Sequence, residues 1–134
     1  MKKSILFAAC TLILLILLGA CSATQRDIAN VHNTPYGMGI SKEEAARIIT
    51  AAGLKREWQI KRISPNLLEG TLINRNHKVV VSIPLTETGY SILYKSSEGM
   101  KTGEGTIHRA YNRWVVNLEK DINLEMTRYS LQKK

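Results

Sequence analysis

The sequence predicts an α+β two-layer sandwich: a helix, a four-stranded antiparallel meander and a second helix, standing behind a signal peptide and a flexible linker. Three observations carry that expectation. A capping box opens a helical stripe at Ser41, four segments of alternating apolar residues follow between turn-forming residues, and a second helical stripe starts at Ile107. Consecutive strands joined by short turns make a meander, and two amphipathic helices bury their stripes most simply on one of its faces.

The chain opens on Met1-Lys2-Lys3, and residues 5 to 18 are apolar except for Thr11. A positive start, an apolar middle and a small-residue end form the pattern of a secretory signal. Its last four residues, Leu18-Gly19-Ala20-Cys21, resemble the bacterial lipobox. That resemblance implies diacylglycerol transfer to the Cys21 thiol, cleavage between Ala20 and Cys21, and at least two acyl chains on the new N-terminus. Each buried methylene contributes about 0.8 kcal/mol, and two chains give stable attachment. An uncleaved anchor is the competing reading, because residues 4 to 21 make 18 positions, near the minimum for a membrane span. By the same resemblance, Ser22 points to the inner leaflet of the outer membrane, facing the periplasm, with the inner membrane as the other address.

Cleavage would leave residues 21 to 134, enough for one domain. Cys10 would depart with the signal and Cys21 would be consumed by lipid, so no internal disulfide is expected and stability must rest on an apolar core. Without Lys2 and Lys3 the chain keeps 17 basic against 11 acidic residues. That surplus suits anionic lipid or an acidic cell-wall polymer, and it serves solubility equally. Nucleic acid is excluded as a partner by the export signal.

Residues 21 to 40 show no sustained period and read as a lipidated N-terminus and flexible linker. The domain is expected from 41 to 134. Ser41-Lys42-Glu43-Glu44 fits a capping box, Ala45, Ile48, Ile49 and Ala52 follow at helical spacing, and Gly53 stands where the helix would stop. Strands are expected around Trp58–Arg62, over Leu67–Asn74 with Gly70 a possible bulge, over Lys78–Leu85 and over Tyr90–Lys95. Ser96 to Gly105 reads as a polar loop. Ile107, Tyr111, Trp114, Val115, Leu118 and Ile122 then form one stripe of a long helix, which assigns Tyr111 and Trp114 to the core.

The segment Ile107-His108-Arg109-Ala110-Tyr111-Asn112-Arg113-Trp114, continuing through Asn117-Leu118 to Asp121-Ile122, resembles a family of small proteobacterial lipoproteins, as does Tyr90-Ser91-Ile92-Leu93-Tyr94-Lys95-Ser96-Ser97 before it. The resemblance spans roughly residues 38 to 123. It implies an envelope address and a fold pattern, and no activity. In that family glycine often stands where Glu57 does here, before the tryptophan.

No constellation for catalysis emerges. His32, His77 and His108 share no ligand spacing, so no metal and no cofactor are expected. There is no Gly-x-Ser-x-Gly, and Gly99, Gly103 and Gly105 lack the lysine and hydroxyl that end a phosphate loop. Arg109, Asn112 and Arg113, on the polar side of the last helix, form a candidate partner-binding corner for an acidic or carbohydrate partner. Lys61, Thr71, Val80, Ser82, Ser91 and Lys95 are expected on the open sheet face, a second surface for another envelope protein. A solvated surface is the competing reading of both. The sequence thus points to a non-catalytic envelope lipoprotein, with an accessory subunit of an envelope assembly as the alternative.

Overall fold

The computed structural model describes residues 25–100 and 102–134. The expected signal peptide, the expected cleavage pair Ala20 and Cys21, and the first residues of the expected linker lie outside the described residues. The elements run β1 (Gln25–Asp27), β2 (Val31–Pro35), α1 (Lys42–Lys55), β3 (Gln59–Ser64), β4 (Leu67–Asn74), β5 (His77–Pro84), β6 (Gly89–Glu98), β7 (Thr106–His108) and α2 (Ala110–Gln132). An α+β fold is present, with the expected meander β3 to β6 extended by one strand. The five-stranded antiparallel sheet has the order β2-β6-β5-β4-β3, and β1 pairs with β7 in a separate two-stranded ribbon.

The capping box is as expected. Ser41 Oγ accepts from the Glu44 amide at 3.2 Å, and Glu44 Oε2 accepts from the Ser41 amide at 2.8 Å. Gly53 does not end the helix, which runs on to Lys55. Its task is packing: a Cβ there would lie 2.6 Å from Ile60 Cγ1. Gly70 is no bulge either, since it pairs in regular register with Ile60 and Val81. Its bare backbone makes room for Trp58, whose Cε3 would be 3.3 Å from a Cβ at that position. The sheet's irregularity falls between β5 and β6, where Val81 pairs with Tyr94 and Val80 with Ser96.

The linker expectation is corrected from residue 25 onward. Residues 25 to 40 carry β1 and β2, then seat Tyr36 and Ile40 in the core. Tyr36 stacks on Tyr90 with ring centroids 6.4 Å apart, and its hydroxyl donates to the Thr86 carbonyl at 2.8 Å. Alternation fails in β2 because its register shifts between Val31 and Thr34, where Asn33 adopts a positive φ of 51°. Pro35 is tolerated because β2 is an edge strand.

The last helix is also corrected at its start. Ile107 lies in β7, and α2 begins at Ala110. Ile107 is buried all the same, so its spacing from Tyr111 mimics a helical stripe across a strand-to-helix junction. The His108 imidazole, not a serine or aspartate, accepts from the Ala110 amide at 3.2 Å. Beyond Ile122 the stripe continues through buried Met126.

One core joins the elements. Ala45, Ala46, Ile49 and Ala52 of α1 and Tyr111, Val115, Leu118 and Ile122 of α2 meet Leu68, Leu72, Val79, Val81, Ile83 and Ile92 of the sheet. Small alanines on α1 permit close approach, which leaves the bulk to be supplied by α2 and the strands. Trp114, expected in the core, is only partly buried and packs at its edge. The Tyr111 hydroxyl is buried without a hydrogen-bond partner among the described residues.

Candidate functional site

The molecule has two chemically different ends. One carries the β1–β7 ribbon, the β4–β5 turn, the end of β6 and the start of α2. The other carries residues 36 to 40, the start of α1 and the end of α2.

At the first end, the predicted corner divides. Asn112 is a clamp: its Nδ2 donates to the Asp27 carbonyl at 2.7 Å and its Oδ1 accepts from the Ala29 amide at 3.0 Å. One donor and one acceptor of the amide are used in pinning the chain after β1 to α2, a structural role that the expected partner-binding assignment did not include. Arg109 and Arg113 are exposed one helical turn apart, and neither forms an ion pair among the described residues. Arg26 in β1 and Arg75 in the β4–β5 turn are likewise exposed and unpaired among the described residues.

Nothing in the spacing of His77 and His108 joins them, but the fold stacks them with ring centroids 6.2 Å apart, and the Trp114 ring centroid lies 6.3 Å from that of His77. His77 Nδ1 lies 2.8 Å from the Gly99 carbonyl, so it must donate there. Gly99 itself has a φ of 69°, and a Cβ on it would collide with the Asn76 carbonyl. His108 Nδ1 is an acceptor, which places the proton of the neutral ring on Nε2. In this arrangement His108 has no free nitrogen lone pair to offer a metal. No group of three potential metal ligands occurs among the described residues.

The opposite end holds a groove of about 780 Å³ between residues 34–39 and the last three turns of α2. Pro35, Tyr36, Met38, Met126 and Leu131 supply its apolar walls, with Met38 81% and Leu131 64% exposed. Burial, with the Glu87 carboxylate nearby, pushes Tyr36 up to about 12, so its hydroxyl stays a neutral donor. Of the two lysines lining the groove, Lys133 is committed, and Lys134 forms no ion pair among the described residues. Lys133 Nζ contacts Glu44 at 2.7 Å and the Gly39 carbonyl at 2.9 Å, Lys42 pairs with Glu87 at 2.7 Å, and Arg62 grips Glu43 with two nitrogens. Midway, Arg56 pairs with Asp121 at 2.5 Å and Lys55 with Glu125 at 2.8 Å. At the ribbon end the one ion pair among the described residues is Lys78–Glu98, at 3.7 Å.

On the sheet, Lys61, Thr71, Val80, Ser82, Ser91 and Lys95 lie on the face away from the helices, as expected. Lys95 there pairs with Glu69 at 2.5 Å, while Ile63 and Ile73 add exposed apolar surface that the sequence reading did not single out. Both fall on alternate positions next to turns, where period-2 counting was the available signal. Among the described residues no helix is long and apolar enough to cross a membrane. In comparisons with known proteins, no family model, no curated protein and no solved structure matches the chain.

Proposed function

We propose that this protein is a lipoprotein of the bacterial cell envelope, anchored by lipid on Cys21 and serving a non-catalytic binding or structural role, without a cofactor. The observation that carries this reading is the sequence Leu18-Gly19-Ala20-Cys21 directly after an apolar run with a positive start. The resemblance of residues 38 to 123 to small proteobacterial lipoproteins supports it. The outer membrane's inner leaflet, facing the periplasm, is the address that Ser22 favours.

The test is the intact mass of the membrane-extracted protein. Loss of residues 1 to 20 with added acyl mass is expected, and Cys21→Ser should abolish both. A protein that keeps Met1 and carries no lipid overturns the reading.

A second reading, an accessory subunit of an envelope or secretion assembly, is favoured by exposed apolar residues on two faces. Ile63 and Ile73 lie on the sheet, and Val116 and Leu124 on the outer side of α2. Crosslinking in cells followed by co-purification separates the two. A stoichiometric protein partner supports the subunit, whereas capture of cell-wall polymer or lipid alone supports the envelope binder.

A further inference from the structure

We propose that the ribbon end of the domain is an electrostatic membrane contact, binding anionic phospholipid head groups of the same bilayer that holds the acyl chains of Cys21. This inference rests on the lipid-anchor reading and adds an orientation and a ligand class to it.

Only four peptide steps separate Cys21 from Gln25, where β1 begins. At roughly 3.5 Å per residue the leash extends no further than about 14 Å. β1 is not free to swing away from the domain. It is paired through Arg26 with Ile107 of β7, and Asn112 holds the chain that follows it against α2. The ribbon end is therefore tied near the head groups, while the groove lies toward the far end of a 23-residue helix, about 34 Å long.

The charge distribution agrees with that orientation. Arg26, Arg75, Arg109 and Arg113 have no ion-pair partner among the described residues, and they gather on the end that the leash brings to the membrane. Asp27, Glu98 and Glu104 stand at the same end, and Glu98 is engaged by Lys78. Among the described residues, five cationic side chains thus face three acidic ones. Four of the five are arginines, whose planar donor fork matches phosphate oxygens. At the groove end Lys133 and Lys42 are held by carboxylates of the same chain, which leaves Lys134 as the groove-lining cation without an ion pair among the described residues.

The test uses mature protein with Cys21 acylation verified by mass, reconstituted into vesicles of phosphatidylcholine with or without phosphatidylglycerol. Asn76→Cys at the ribbon end and Leu131→Cys at the groove end carry a spin label in separate samples. Relaxation by a head-group-chelated nickel reports proximity to the bilayer. On phosphatidylglycerol the Asn76 label should relax several-fold faster than the Leu131 label. Arg109→Ala with Arg113→Ala, which spare the Asn112 clamp, should reduce that ratio toward its value on phosphatidylcholine alone. Acylated protein whose two labels relax equally overturns this inference alone. So does a ratio indifferent to lipid charge and to the two arginines. A protein without acyl chains overturns the anchor reading, and this one with it.

Discussion

Two tyrosines on facing elements show how much a single hydroxyl depends on its neighbours. Tyr90 donates to Asn123 Oδ1 at 2.8 Å, while Tyr111, T-shaped against Tyr94 with centroids 5.5 Å apart, buries its hydroxyl with no partner among the described residues. A buried polar group without a partner costs roughly 1–3 kcal/mol, and its removal is neutral or favourable. Tyr111→Phe is therefore expected to leave the Tm unchanged or raise it. Tyr90→Phe strands the Asn123 acceptor and should lower stability by about 1 kcal/mol. Urea denaturation of the two variants side by side checks the contrast. Glu57 offers a second test at this scale. It holds a φ of 66° in the turn between α1 and β3, a left-handed conformation that costs a non-glycine residue roughly 1–2 kcal/mol. Glu57→Gly should stabilise the fold by up to about 1 kcal/mol, and a drop in the urea midpoint would contradict this account of the turn.

The cap of α1 is an element-scale device because Glu44 serves three segments at once. Its carboxylate closes the capping box on Ser41, accepts from the Tyr129 hydroxyl at 2.7 Å and pairs with Lys133 at 2.7 Å, fastening the end of α2 to the start of α1. Hydrogen bonds from Lys133, the Ser41 backbone and Tyr129 hold its carboxyl far below the usual glutamate value of 4.5. The folded state thus favours the charged form, so Glu44 contributes stability above that value and loses the contribution as pH falls below it. Glu43, Asp121 and Glu125, each lowered first by a hydrogen bond from Arg62, Arg56 or Lys55, act with the same sign. The Tm should hold from neutral pH down to about 4.5 and decline on further acidification. Glu44→Gln should lower the neutral-pH Tm and shallow the acid decline. An unchanged acid slope in thermal melts across this range would remove Glu44 as a contributor.

Across the whole molecule, what could be read from sequence is what local physics dictates. The capping box, the strands from β3 to β6 and the stripe from Tyr111 to Ile122 each carry their own periodicity, so their pairing into a meander under two helices followed. β1, β2 and β7 do not. Gln25-Arg26-Asp27 has no apolar residue, and it becomes a strand only because Thr106-Ile107-His108, some eighty residues away, supplies its partner. β2 loses its alternation at the Asn33 irregularity. The same non-local contacts hide parts of the candidate site. Asn112 looked like a solvent-facing polar residue until the returning N-terminal segment covered it, and the stacking of His77 on His108 arises from β7 docking beside the β4–β5 turn. Arg109 and Arg113 were legible because an exposed helix face is a local property.

The early start of β1 also changes how strong any surface contact has to be. A domain roaming on a 20-residue leash would meet a given patch of bilayer intermittently. With three residues between the expected lipid attachment and the first strand, a lipid-anchored domain is confined to a thin shell above the head groups. Its effective concentration there is on the order of millimolar or higher. A cluster of arginines with an intrinsic affinity too weak to detect in dilute solution is then occupied much of the time. Selection acting on such a protein needs no deep pocket at the ribbon end; shallow, exchangeable contacts suffice to keep the groove end turned outward.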